Sequence, residues 1–267
     1  MWHGVDASGS GRWGGMLIVA VCLGLLSMSA WGKDLSDTIE RVKPSVVGVG
    51  TYMQTRQPRS QLQGTGFVVG DGLHVITNDH VLPNVLDADR MEFLAVFVPG
   101  DGRQVQVRRA RAVASDPARD LTLLRIDGEP MPALRLGNPN SVREGQAVAF
   151  TGFPIGAALG LYPATHRGTV SAIAPVVIPA RTGRELDPAL IRRMREPYTI
   201  FQLDATAYPG NSGSPLFDPL TGRVLGVLNM VFVKEGRESA LERPSGISYA
   251  IPVDPARALL EEQGLRP

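Results

Sequence analysis

Residues 64–81 read GTGFVVGDGLHVITNDHV, and the fold is most legible here. Two short apolar runs, GFVVG at 66–70 and LHVIT at 73–77, are separated by Asp71-Gly72. An Asp-Gly pair between such runs marks a tight hairpin, because glycine supplies the positive φ that a two-residue loop demands. Each run is too short for an ordinary helix, and Val, Ile and Phe suit a pleated strand. The same style recurs outward. On the N-terminal side lie a strand at 46–49 and, before it, DLSDTIERVK at 34–43. Leu35, Ile39 and Val42 share one helical face there, and Pro44 stops the helix. On the C-terminal side strands are expected at 93–98, 105–114 and 121–126. A Pro-rich crossover comes next, at 130–140. Further strands are expected at 147–152, 168–173, 199–203, 214–217, 224–233 and 246–251. A closing helix over 255–263 starts at the Asp254-Pro255 cap signal. The expected class is all-β with short terminal helices. Two groups of about six strands, near 44–130 and 140–253, suggest two barrels, although pattern alone equally admits sandwiches.

Composition narrows the function. Lys plus Arg number 27 against 26 Asp plus Glu, a net charge of +1. Such a balance gives no electrostatic footprint for nucleic acid or for an anionic membrane surface. The single cysteine, Cys22, lies in the N-terminal apolar run, so disulfides, thiolate zinc sites and cysteine nucleophiles are excluded from the chain beyond that run. His74, His80 and His166 form no close ligand pair, and neither a metal nor a cofactor is expected. Residues 16–30, MLIVAVCLGLLSMSA, are shorter than the roughly 20 residues of a membrane span. They read as an export signal with Ala30-Trp31-Gly32 as a small-x-small cleavage site, and an uncleaved anchor is the alternative. Residues 1–32 are thus signal or anchor, 33–267 are the working domain, and the compartment is periplasmic or extracellular.

Three segments carry chemistry. Gly210-Asn211-Ser212-Gly213-Ser214-Pro215 places a serine between glycines. A serine hydroxyl needs a base to become a nucleophile. Small neighbours let the chain turn tightly enough to aim the Gly210 and Ser212 N–H groups at one developing oxyanion. By itself the segment also fits an ordinary β-turn. Thr77-Asn78-Asp79-His80-Val81 sets a histidine at the end of an apolar strand, where it can be held rigidly and still exchange protons near neutral pH. In Asp116-Pro117-Ala118-Arg119-Asp120-Leu121, Asp120 leads straight into an apolar strand and can be buried at a fixed place. Asp116, before Pro117, reads as solvated, and Asp79 need not face the imidazole. The order His80, Asp120, Ser212 puts two members in the first half and one in the second, so a cleft between two barrels would unite them as a triad.

With these segments in view, the chain from Leu35 to Gln263 resembles trypsin-like serine proteases of the HtrA/Deg group. The resemblance rests on residues 64–81, on SDPARDLTLLRI at 115–126 and on LRLGNPNSVREGQAVAFTGFP at 134–154. It rests equally on HRGTVSAI at 166–173, FQLDATAYPGNSGSPLFD at 201–218 and GISYAIPV at 246–253. It implies a chymotrypsin-like double barrel of two six-stranded antiparallel β-barrels, with His80, Asp120 and Ser212 as the triad. It also implies polypeptide substrates, unfolded or damaged proteins cleaved for quality control outside the cytoplasm. The chain departs from the group at three places. It ends about one helix after Tyr249-Ala250-Ile251-Pro252, so no PDZ domain is expected to follow. Pro215-Leu216 stands where Gly-Ala is common. Residues 174–197 are long and charged, a regulatory loop in the family or a solvated insertion. The resemblance also implies that a homotrimer can form through residues 34–52, whose apolar face could equally pack on its own barrel. For specificity, Thr206, Leu228, Asn229 and Met230 are candidate pocket residues. Thr206 is no acid, so Arg or Lys preference is not expected, and Leu228 favours small or medium aliphatic side chains. A protease-fold binding or chaperone-like protein with a latent triad is the alternative reading.

Overall fold

The computed structural model describes residues 1–4, 34–100, 105–154, 161–175, 198–229 and 246–267. The expected signal segment, residues 176–197 of the charged loop and Met230 lie outside the described residues. The chain divides into two units, Met1–Asp34 and Leu35–Pro267, and the second contains all of the described strands and helices.

Among its described residues that unit holds twelve strands in two antiparallel groups. The first group comprises β1 (Val46–Tyr52), β2 (Ser60–Val69), β3 (His74–Thr77), β4 (Phe93–Pro99), β5 (Val105–Asp116) and β6 (Leu121–Ile126). The second comprises β7 (Ala147–Gly152), β8 (Ala164–Pro175), β9 (Thr199–Asp204), β10 (Pro215–Phe217), β11 (Val224–Asn229) and β12 (Ile247–Pro252). Each group closes on itself, in the orders β1-β2-β3-β6-β5-β4 and β10-β11-β12-β9-β8-β7, so the two groups are barrels and not sandwiches. Closure removes the free edges that an open sheet would present. Register shifts at Val49/Gly50, Ala112/Ala114 and Val170/Ala172 bend long strands round the barrel corners.

Alternation explains why the end of β2, β3 and much of β6 carry consecutive apolar residues. Val68, Val75 and Leu124 point into barrel one and pack with Val47, Val49 and Val96. Their neighbours Phe67, Ile76 and Leu123 point the other way. They join Phe153, Phe217, Val227 and Ile251 of the second half in a cluster shared by both barrels. Strands buried on both faces lose the polar alternation of a half-exposed strand. A third cluster, with Phe150, Val170, Leu203, Leu216 and Leu228, fills barrel two.

Two strands begin earlier than their apolar runs suggest. β2 starts at Ser60 because Gln61 and Leu62 pair with Thr51 and Gly50 in a tip whose polar side chains are tolerated near solvent. β8 starts at Ala164, pairing Thr165 and His166 with Thr151 and Phe150. Helix α1 (Leu35–Val42) buries Thr38 and Val42. Thr38 Oγ1 donates to Leu220 O at 3.3 Å, and a Cβ on Gly222 would touch both Thr38 and Val42. The face of α1 that carries Thr38 and Val42 therefore lies on the β10–β11 turn of its own chain. Helix α2 (Asp254–Glu262) buries Ala256, Leu259 and Leu260 in the shared cluster. Among the described residues no helix is long and apolar enough to cross a membrane.

Candidate active site

His80 sits in a single 3-10 turn, Asp79–Val81, directly after β3. Asp120 sits at the end of the turn that leads into β6, and β3 pairs with β6, with Thr77 opposite Thr122. Strand pairing thus brings the two together across a sequence separation that neither local motif reveals. Asp120 holds the histidine at two points. Its Oδ1 accepts the His80 backbone N–H at 2.8 Å, and its Oδ2 lies 2.6 Å from His80 Nδ1. An ionised carboxylate only accepts, so Nδ1 carries the proton and Nε2 is left as the basic nitrogen. The side chain of Asp120 is 9% exposed and that of His80 33%, so the acid is enclosed while the imidazole reaches solvent.

Asp120 also adopts a left-handed conformation, φ 55°. A non-glycine residue there costs about 1–2 kcal/mol. The surroundings fix it. Its N–H donates to Pro117 O at 3.3 Å, and its C=O accepts from Asp79 N–H at 3.2 Å and Asn78 Nδ2 at 2.9 Å. Asn229 Nδ2 donates to Asp120 Oδ2 at 2.7 Å from the end of β11 in the other barrel. The other two acids of this region are occupied elsewhere. Asp79 Oδ1 accepts from Thr122 Oγ1 at 2.6 Å. Asp116, read as solvated from sequence, is half-buried and clasps Arg119 at 2.7 Å.

Ser212 lies in the loop between β9 and β10, buried except for 5% of its surface. Tyr208 to Asn211 form a β-turn closed by Asn211 N–H to Tyr208 O at 2.9 Å. Pro209 occupies its second position and Gly210, at φ 98°, its third, the arrangement of a type II turn. A second turn follows, with Ser214 N–H on Asn211 O at 3.0 Å and Gly213 at φ 86°. This loop is seated against barrel one. Ser212 O accepts Thr65 N–H at 2.8 Å. A Cβ on Gly64 would meet Val81, next to His80, at 2.7 Å and Ser212 O at 3.0 Å. Gly213 N–H donates to Leu228 O, whose neighbour Asn229 reaches Asp120. His80, Asp120 and the Ser212 loop thus converge at the junction of the barrels. No hydrogen bond joins Ser212 to His80 in this structure. Of the candidate pocket residues, Thr206 is half-buried just before the serine loop, and Leu228 is fully buried in the barrel-two cluster. Asn229 serves the acid. The one sequence signal that could have pointed to that role is an amide ending the apolar run VLGVLN; its complete burial is seen only in the structure. The role of Asn78 had no comparable signal.

His166 lies beneath the serine loop. Its ring stacks on Phe150 at 5.0 Å and 18° and approaches Tyr208 at 6.1 Å. Nε2 is buried without a hydrogen-bond partner, and burial pushes the pKa down. The folded state therefore favours neutral imidazole. The accompanying stability is fully present above the unfolded value of about 6.5 and is lost as pH falls through the lowered folded value. The urea midpoint is expected to drop between pH 7.5 and pH 5, and His166→Phe is expected to shrink that drop. An unchanged drop in the variant would assign it to other groups.

Closure into two six-stranded barrels defines the chymotrypsin-like double-barrel class. The chain belongs, more narrowly, to the trypsin-like peptidase family, whose domain model matches residues 64–227. It is similar to a probable periplasmic serine endoprotease DegP-like of Pseudomonas fluorescens. The two are 33% identical over 202 residues, covering 75% of this chain and 35% of that protein. The DegP-like relative of Halomonas elongata is 32% identical over 200 residues, covering 74% and 34%. The chain spans about a third of the length of these curated relatives. Among solved structures it is similar to the HtrA-type protease AlgW with tripeptide, at 27% identity and TM-score 0.59, covering 86% of this chain and 64% of that one. The Rv3671c protease from M. tuberculosis in its active form shares the fold at 23% identity and TM-score 0.61, covering 86% and 85%.

Proposed function

We propose that the protein is a serine endopeptidase with His80, Asp120 and Ser212 as its triad. The observation that carries this reading is the two-point hold of the buried Asp120 on His80, which leaves Nε2 as the base. In this reading Ser212 Oγ attacks the scissile carbonyl while Nε2 takes its proton. The Gly210 and Ser212 N–H groups receive the oxyanion. The proton passes to the leaving amine, and water then deacylates the enzyme through the same base. Asp120 stabilises the imidazolium and does not itself take the proton.

The substrates proposed are unfolded or damaged polypeptides outside the cytoplasm. The periplasmic names of the DegP-like relatives support the compartment, and the tripeptide named with the HtrA-type neighbour supports a peptide as ligand. A homotrimer would have to use surfaces other than the buried face of α1, because Thr38 and Val42 are covered by the same chain. Incubation with unfolded casein tests the activity. Fragments from the wild type and none from Ser212→Ala are expected; equal cleavage by both would refute the reading. Thr206, half-buried just before the serine loop and not an acid, further supports cleavage after small or medium aliphatic residues. Cut sites in a peptide library dominated by Glu, Lys or Arg would contradict that preference.

A further inference from the structure

Thr65 stands in β2 of barrel one, wholly buried, and its four polar contacts converge on the serine loop and its supports. Oγ1 donates to Gly210 O at 2.6 Å and accepts the Phe153 N–H at 3.1 Å. The main-chain N–H donates to Ser212 O at 2.8 Å, and the main-chain O accepts from Thr77 Oγ1 at 2.7 Å. One residue of barrel one thereby binds three points of barrel two: the two residues whose N–H groups would meet the oxyanion, and the segment leaving β7. The seat has no slack. A Cβ on Gly213 would overlap the Thr65 carbonyl oxygen, and one on Gly152 would overlap Ser214 Oγ and stand 3.0 Å from Thr65 Oγ1.

The consequence lies in the geometry of Gly210. In a type II turn the third residue needs positive φ, and changing to type I turns the peptide between the second and third residues over. That peptide carries the Gly210 N–H. Glycine reaches positive and negative φ almost equally easily, so its own preference does not choose between the two forms. The Thr65 hydroxyl fixes the Gly210 carbonyl, and Asn211 N–H is fixed on Tyr208 O. With that side of Gly210 held, φ 98° decides where its N–H points. From this geometry we infer that Thr65 is a positioning residue for the oxyanion hole: its hydroxyl, supported by the Phe153 N–H, holds the Gly210 turn with the amide aimed at the developing charge. The inference rests on the serine-peptidase reading. Thr65 does not touch substrate and acts through Gly210.

Thr65→Val keeps the shape and removes the hydroxyl, whereas Thr65→Ser keeps the hydroxyl. Loss of an oxyanion donor typically lowers kcat by about 10²- to 10³-fold. Thr65→Val is expected to lose about 10- to 100-fold in kcat on a peptide anilide, with KM within about twofold, because a transition-state interaction is weakened and ground-state binding is not. Thr65→Ser is expected to recover most of the loss. Assays are run well below the melting temperature of each variant, and Thr65→Ala serves if Thr65→Val does not fold. A purely structural Thr65 would lower the melting temperature and leave kcat intact, which would overturn the inference, as would failure of serine to restore kcat. The crystal structure of the hydroxyl-less variant judges the inference apart from catalysis. Loss of the positive φ at Gly210 supports it, and an unchanged turn overturns it. Failure of the peptidase reading shows separately, as equal cleavage by wild type and Ser212→Ala.

Discussion

Ser212→Ala is expected to lower kcat on a peptide substrate by about 10⁴- to 10⁶-fold while leaving the fold in place. The size follows from the chemistry, since without Oγ there is no covalent intermediate and only binding and the oxyanion donors remain. The intact fold follows from the contacts. Ser212 is tied to its neighbours through its main chain, by Thr65 N–H on its carbonyl and by the turns on either side, and alanine keeps all of these. His80→Ala is expected to cost a similar factor, and the double variant little more, because nucleophile and base act as one unit. Single-turnover kinetics on a peptide ester, with circular dichroism to verify folding, reads both. A Ser212→Ala protein with near-normal turnover would remove Ser212 from the mechanism.

Asp120→Asn is the second large effect, expected at about 10⁴-fold in kcat. The local hydrogen bonds say why. The oxygen facing the His80 backbone N–H must remain an acceptor, so the amide nitrogen would occupy the place of Oδ2. There it would face His80 Nδ1 and the Asn229 amide, both of which now donate to Oδ2. Relieving the clash at the histidine requires Nδ1 to accept, which moves the ring proton to Nε2 and removes the base. The ¹⁵N shifts of the His80 ring should therefore show the exchanged tautomer together with the loss of rate. Loss of rate with the Nδ1–H tautomer retained would contradict this role for Asp120.

Much of the architecture was legible because its signals are local. The β2–β3 hairpin and the apolar runs of β3 and β6 needed no tertiary information, although the hairpin loop spans four residues, 70–73, with positive φ at Gly70 and Gly72, and not the two of Asp71-Gly72 alone. Pro44 and Asp254-Pro255 marked the helix ends. Closure into barrels, expected from the family resemblance and found, was not decided by strand pattern alone, since the pairing of β1 with β4 and of β7 with β10 joins strands far apart in sequence. The tip of β2 was hidden by its polar residues, because strand pairing there overrides apolar pattern. The same division holds at the site. His80, Asp120 and Ser212 stand in recognisable segments. The contacts of Asn229 with Asp120 and of Thr65 with Gly210 span 109 and 145 residues and depend on how one barrel meets the other. Nor could local pattern reveal that Thr38, a polar residue beside the apolar positions of its helix, is buried on the Leu220 carbonyl.

The most direct measurement is covalent labelling with a fluorophosphonate probe, with peptide mapping of the adduct. The probe reacts with a serine only where a base activates it and an oxyanion site receives the phosphoryl oxygen. A triad of His80, Asp120 and Ser212 predicts a single adduct on Ser212 in the wild type, none in Ser212→Ala, and severely slowed labelling in His80→Ala. An adduct on another serine, or no labelling of a folded protein that still cleaves casein, would contradict it.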